Sequence, residues 1–296
     1  MTRACFLSIC VLLFAPGMGS FDDQALAAQG GVAQAQYETR ELADNVYLFR
    51  YGGSQSMFVV TPDGVIAMDP INVVAAKVYL EEIRKITKVP VVYVVYSHHH
   101  LDHIGGGAPF KAQGATFVAH RQAKAALVRI NNPNVVIPDL VVDDEGSVLT
   151  LGGTRLELHY VGRNHSDSTL VPFLPEEKII FAVDFLPIRE IPFRNMPDSY
   201  LLEGMESIDR VLELDWDRMV AGHSRQGGIG TKDDVNGLKG YMAELFALVR
   251  EANAAGKCID TAMKEIKMPK YSLWERQQFL PGNIERMCYF FRNGWQ

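Results

Sequence analysis

Residues 89–107 read VPVVYVVYSHHHLDHIGGG, and the fold turns on how this stretch is parsed. The run 89–96 is almost wholly β-branched and aromatic, the pattern of a strand buried on both faces in a sheet covered on each side. Directly beyond it stand His98, His99, His100, Leu101, Asp102 and His103, then Ile104 and three glycines. Position matters as much as composition, because the carboxyl end of a buried strand is the rim where α/β enzymes build their sites. In a loop there, His98 and His100 can turn toward one point while Asp102 and His103 address a second beside it. Two adjacent metal ions become possible.

A pair of histidines does not hold a metal tightly alone, so the reading demands further ligands from later strand ends. His165 lies in Gly162-Arg163-Asn164-His165-Ser166 after a strand-like run at 155–161, Asp184 closes the run 179–183, and His223 follows Val220-Ala221-Gly222. Each is an imidazole or carboxylate at the end of an apolar run. A lone histidine is more often structural, which is how His120 and His159 read, and His99 reads as facing away from the ligand positions on either side of it.

Outward from this centre, 45–51 and 57–60 are strand-like, Pro62-Asp63-Gly64 is a turn, and 65–68 is a strand ending at Asp69, together a hairpin. Apolar spacing predicts a helix over 73–85. Residues 115–119 read as strand, 121–130 as helix and 131–139 as loop. Strands follow at 147–151, 155–161 and 179–183, then a long loop, a helix at about 201–214 and a short strand at 218–221. From 233 to 254, Leu238, Tyr241, Met242, Leu245, Phe246 and Val249 share one helical face. The remainder reads as helical, interrupted at Pro269 and Pro281. No short repeat or internal linker marks a second domain.

The segment His98 to His103 with Gly105-Gly106 resembles the H-x-H-x-D-H-x-G-G signature of the metallo-β-lactamase superfamily, and His165, Asp184 and His223 fall in that family's order and approximate spacing. The resemblance covers roughly residues 40 to 225. It implies an α/β fold, a four-layer αββα sandwich of the metallo-β-lactamase type with metals at one edge of the two sheets and, here, a helical C-terminal extension from about 233 to 296. It also implies that His98, His100 and His165 bind one ion, that Asp102, His103 and His223 bind the other, and that Asp184 bridges them. Asp69 matches the family's early aspartate, which supports the site from behind, although an aspartate there is also placed to cap the helix beginning near Asn72. Two Zn²⁺ are the expected cofactors, with iron or manganese compatible with the same donors. Such a pair generates a metal-bound hydroxide near neutral pH, and Asp102 is the expected catalytic carboxylate, passing a proton to the leaving group.

Within the superfamily, β-lactamases with the same first motif have serine near the position of Asp184. A bridging aspartate resembles instead thioesterases similar to hydroxyacylglutathione hydrolase, lactonases, and phosphoesterase and sulfatase relatives. The expected activity is hydrolysis of a carboxylic ester, lactone or thioester. β-Lactam hydrolysis is one alternative, and an iron-dependent sulfur dioxygenase is an alternative of another class.

At the N-terminus, Arg3 precedes an apolar stretch from Ala4 to Ala15, then Gly17, Gly19 and Ala25-Leu26-Ala27-Ala28. Residues 1–28 read as a secretory signal peptide, too short in its apolar core to span a bilayer, and 29–36 as a polar linker before a hydrolase domain at 37–296. A periplasmic or secreted enzyme with no membrane anchor after cleavage is expected. The formal charge of −6 gives no electrostatic footprint for nucleic acid, so the expected partner is a small-molecule substrate. Past residue 28 only Cys258 and Cys288 remain, free to pair in an oxidising compartment and equally readable as buried thiols. The long loop 185–200, with Arg189, Phe193, Arg194 and Tyr200, is a candidate lid or a plain surface excursion. Trp274 is a candidate pocket wall or a core residue.

Overall fold

The structure, a computed structural model, describes residues 37–224 and 227–294. The expected signal peptide and linker lie outside the described residues. Chain order runs β1 (Tyr37–Ala43), β2 (Val46–Tyr51), β3 (Ser54–Thr61), β4 (Gly64–Met68), α1 (Val73–Ile86), β5 (Val91–Val95), α2 (Leu101–Ile104), α3 (Ala108–Lys111), β6 (Thr116–His120), α4 (Arg121–Ile130) and β7 (Leu140–Val142). The second half runs β8 (Ser147–Leu151), β9 (Thr154–Tyr160), β10 (Leu170–Leu174), β11 (Ile179–Ala182), α5 (Leu201–Glu213), β12 (Arg218–Ala221), β13 (Ile229–Gly230), α6 (Lys232–Ala254), α7 (Ala262–Glu265) and α8 (Leu280–Asn293).

The strands form two sheets, one of seven strands in the order β1 to β7 and one of six in the order β13-β12-β11-β10-β9-β8. In the first, β4 to β7 are parallel and the earlier pairs antiparallel. In the second, only β11 and β12 are parallel.

The period-2 pleat sorts the apolar side chains into three cores. Val46, Leu48, Met57, Val59, Ile66 and Met68 face Leu156, Leu158, Leu170, Ile179 and Phe181 between the sheets. The opposite faces of the same strands, through Phe49, Phe58, Val65 and Ala67, meet Ala76, Tyr79, Leu80 and Ile83 of α1 and Leu127 of α4. Val171, Ile180, Ala182 and Met219 turn outward from the second sheet to Ile208, Leu238, Tyr241 and Met287 on α5, α6 and α8. The result is the four-layer αββα sandwich with C-terminal helices. Each fully buried Leu, Ile, Phe or Met stabilises it by roughly 1.5–3 kcal/mol before ordering entropy is counted.

Four strands escaped the sequence reading. β10 carries Pro172 and is apolar at all five positions, β7 is three residues long, β13 only two, and β1 is a polar edge strand with no buried position. Pro281 begins α8 in its first turn, where the missing N–H has no partner to lose, and does not interrupt a helix. Cys258 and Cys288 form a disulfide, Cα–Cα 5.6 Å, that ties the turn after α6 to α8. Among the described residues no helix is long and apolar enough to cross a membrane.

Candidate metal centre

Four loops at one edge of the two sheets carry the seven predicted side chains. After β5, His100 takes an extended backbone conformation and caps the single-turn helix α2, which turns Asp102 and His103 inward from its first turn. Between β9 and β10, the Asn164 carboxamide oxygen accepts from the His165 N–H at 2.7 Å and folds the loop back on itself. Asp184, just past β11, has φ 68°, a left-handed conformation that a non-glycine residue adopts only where the surroundings enforce it. After β12, a Cβ at Gly222 would lie 2.4 Å from Val183 Cγ1 and 2.7 Å from Asp184 Oδ1, so only glycine lets this strand end pack against the centre.

These loops assemble two groups of donors, His98, His100, His165 and Asp184 in one and Asp102, His103, His223 and Asp184 in the other. Asp184 belongs to both. Its Oδ2 lies 3.7 Å from His98 Nε2, 3.0 Å from His103 Nε2 and 3.5 Å from His165 Nε2, and its Oδ1 lies 3.6 Å from His223 Nε2. His165 Nε2 and His100 Nδ1 are 2.9 Å apart, and His103 Nε2 and His223 Nε2 are 3.1 Å apart. Asp102, at the exposed side, reaches His223 Nε2 at 3.3 Å and His103 Nε2 at 3.6 Å.

Nitrogens crowded this way aim lone pairs at common points. The His223 Nδ1–H donates to the Gly53 carbonyl at 2.9 Å, which leaves Nε2 as the unprotonated donor atom. His98 is fixed in the same sense: Ser97 Oγ donates to Asp69 Oδ2 at 2.6 Å and therefore accepts from His98 Nδ1 at 2.9 Å. His98 Nε2 and Asp184 Oδ1 are buried with no hydrogen-bond partner, an arrangement that costs about 1–3 kcal/mol per group unless something electrophilic lies between them. The residues present therefore fit a pair of divalent ions.

Burial and the carboxylates pull the imidazoles in opposite directions, and an ion entering the second group must displace a proton from His103. Burial drives the His98 imidazole well below its ordinary value, aided by the neighbouring His103, so it stays neutral and available. Burial also lowers His165. Burial would lower His103 too, but the Asp184 carboxylate beside it, with Asp102 and Asp69, raises it to about 9. Burial opposes ionisation of Asp184, yet His103 and its neighbours hold that carboxyl well below the usual range.

Asp69 is fully buried and is not a helix cap, since the side chain that accepts from the α1 N-terminal amides is Asn72. It accepts from the Ser97 N–H at 2.7 Å, so it orients His98 through Ser97, and it lies 3.8 Å from His103 Nδ1 without a hydrogen bond. Ser97, Gly53 and Asn164 were invisible to sequence reasoning, because nothing in a single serine, glycine or asparagine marks the histidine it will face. His99 points away from the donor groups to Ser168 Oγ at 2.8 Å and Ser166 Oγ at 3.2 Å. His120 stacks on Tyr160 and pairs with Asp144, and His159 pairs with Glu157.

A cavity of about 740 Å³ opens at the centre, lined by His100, Asp102, His165, Asp184 and His223 and walled by residues from 185–205, α5 and α6. The segment 185–200 is a fixed wall rather than a lid. Leu186, Ile188, Ile191 and Met196 are core residues, the Ile191 N–H donates to the Glu275 carbonyl and the Glu275 N–H to the Arg189 carbonyl, and Asn283 Nδ2 donates to the carbonyls of Pro192 and Arg194 at 3.0 and 2.7 Å. The stretch 51–57 does not line the cavity; most of it is β3, and it serves the centre through Gly53. Trp274 packs against Tyr241 and Tyr271 in the core and not on the cavity wall.

An αββα sandwich with paired His/Asp donor groups at the sheet edge defines a class of metal-binding proteins, and comparison with known proteins gives it a family. The model of the metallo-beta-lactamase superfamily matches residues 50–223, and the chain belongs to that superfamily, whose members are generally metal-dependent hydrolases. The alpha subunit of 2,4-dinitroanisole O-demethylase from Nocardioides sp. (strain JS1661) is 25% identical over 187 residues, 62% of this chain and 57% of that one. A type 2 metallo-beta-lactamase of Bacillus cereus is 29% identical over 160 residues, 52% of this chain and 60% of that one. The chain thus spans little more than half the length of these curated relatives. A metallo-beta-lactamase from Pontibacter korlensis shares the fold with TM-score 0.62 at 21% identity, over 70% of this chain and 99% of that chain.

Proposed function

We propose that the protein is an exported binuclear hydrolase of a carboxylic ester, lactone or thioester, with His98, His100 and His165 holding one ion, Asp102, His103 and His223 the other, and Asp184 shared. The observation that carries this reading is the placement of Asp184 between the two donor groups, with its oxygens 3.0–3.7 Å from four histidine nitrogens. When bound, two such ions supply an acidified water and an electrophile for the substrate's carbonyl.

The chain's own residues do the rest. Asp69 and Ser97 hold His98 in one tautomer, and the Gly53 carbonyl does the same for His223. Burial would raise the Asp102 pKa, but in the absence of metal, when His223 Nε2 is free to carry a proton, the hydrogen bond from His223 and the charge of His103 bring it to about 2; a carboxylate that acidic accepts a proton before it can deliver one to a leaving group. The cavity walls bring apolar side chains such as Phe185, Leu186 and Ile208 to the approach to Asp184. Zinc fits five imidazoles and two carboxylates, as do iron and manganese. Export is supported by the apolar stretch from Ala4 to Ala15 and by the Cys258–Cys288 disulfide, a bond that persists in oxidising compartments.

A second reading, β-lactam hydrolysis, is favoured by the type 2 metallo-beta-lactamase relatives, which match over 159 and 160 residues. Purified protein offered esters, lactones, thioesters, β-lactams and phosphodiesters, with and without a chelator, decides between them. Chelator-sensitive turnover of an ester, lactone or thioester is expected. Turnover confined to β-lactams would replace the first reading with the second, and oxygen uptake on a persulfide without any hydrolysis would replace both with a dioxygenase.

A further inference from the structure

We infer that the cavity is a channel for an unbranched aliphatic chain, so that the substrate is a long-chain acyl or alkyl compound; the identity of the cleaved bond rests on the hydrolase reading, the channel does not. The cavity does not stop at the surface around the donor groups. It continues between the outer face of β12, at Ala221, and Ile208 of α5, Leu238 and Met242 of α6, and Ile191 and Met196 of the 185–200 wall. All six belong to the outer hydrophobic core and are 1–8% exposed. Apolar side chains this buried offer a bound alkyl chain contact along its length.

Charge points the same way. Arg276 is the one arginine or lysine among the described lining residues, and Glu190 holds it at 2.7 Å. The carboxylates Asp102 and Asp184 stand at the donor end, and Asp198 is 3.8 Å from His100 there. A polar reacting group is thus accommodated at one end, and Ala221, Ile191, Met196, Ile208, Leu238 and Met242 offer apolar surface beyond it, with the paired Glu190 and Arg276 as its charged exception. Methionines 196, 205 and 242 add side chains that adapt to a chain of varying length.

The test uses the metal-loaded full protein. Binding of straight-chain carboxylates from butyrate to dodecanoate is measured by titration calorimetry below their micellar concentrations, beside branched and polycyclic acids of equal carbon number. Affinity is expected to rise about fourfold per methylene until the channel is filled, since each buried CH₂ is worth about 0.8 kcal/mol. In parallel, kcat/KM is measured for nitrophenyl esters of the same chain lengths. Met242→Trp is expected to move the optimum to shorter chains and Met242→Ala to longer ones, judged by the ratio of long- to short-chain turnover. Flat affinity across the series, or tighter binding of the polycyclic acids, overturns the channel. Chain-length-dependent binding without turnover of any ester, lactone or thioester upholds the channel and sinks the hydrolase reading, whereas turnover indifferent to chain length does the reverse.

Discussion

Asp184 occupies the one position from which a single carboxylate reaches both donor groups, and its left-handed backbone shows that the fold holds it there against local preference. Asp184→Asn keeps the shape and removes the charge. Metal analysis should find the pair depleted, turnover should fall by at least about 100-fold, and circular dichroism should be unchanged. Full metal content with full turnover would refute the shared role. His103 makes the second residue-scale prediction. In protein stripped by a chelator, burial works against its proton but Asp184 holds it, so the pKa stands near 9 against an ordinary 6.5. A histidine that binds its proton more tightly when folded adds stability that is complete below about pH 6.5 and lost as pH rises through about 9. Thermal melts of stripped protein should therefore show a falling midpoint over that window. Since a ligand imidazole must be neutral, loading metal at pH 7 should release protons and remove the dependence, and a stripped protein with a flat profile there would contradict the coupling.

At the scale of elements, the instructive pair is the 185–200 segment and α8. The length of the loop and its aromatic and arginine content are visible in the sequence, yet whether it moves or stands was decided by residues some ninety positions away. Asn283, fully buried, donates to two of its carbonyls and accepts from the Tyr241 hydroxyl at 3.0 Å. Asn283→Ala leaves those buried groups unpaired, at about 1–3 kcal/mol each. The expected result is a lowered unfolding midpoint together with a raised KM and a smaller change in kcat, because the wall borders the cavity and not the donor groups. An unchanged KM with the stability loss would mean that the wall keeps its shape without this anchor. The missed strands belong to the same scale. β10 is apolar on both faces because it lies inside the second sheet between β9 and β11, and Pro172 at its centre reads against a central strand.

On the scale of the whole molecule, the Cys258–Cys288 disulfide closes a 30-residue separation and secures α8, from which Asn283 and Arg286 reach the cavity wall. Reduction, or Cys258→Ala with Cys288→Ala, should cost about 2–4 kcal/mol, read as a lower denaturant midpoint. Metal content should be preserved, since no donor residue lies on α8. Loss of metal on reduction would show that the helical layer also holds the donor loops in place.

Local chemistry singled out the candidate ligands. His98, His165, Asp184 and His223 were legible because each follows an apolar run, with His100, Asp102 and His103 in the loop that His98 begins, and the structure brings all seven together. The strand-and-turn pattern of β2 to β4 and the apolar face of α6 were legible as short-range patterns of the same kind. Tertiary structure alone decided that Asn72 and not Asp69 caps α1, that Ser97 and Gly53 set the histidine tautomers, that the two cysteines meet, and that a cavity penetrates the outer core. These features arise from contacts between distant segments and, for the cavity, from space those segments leave unfilled. Periodicity records which side of an element is buried; it carries no record of which atoms will be opposite.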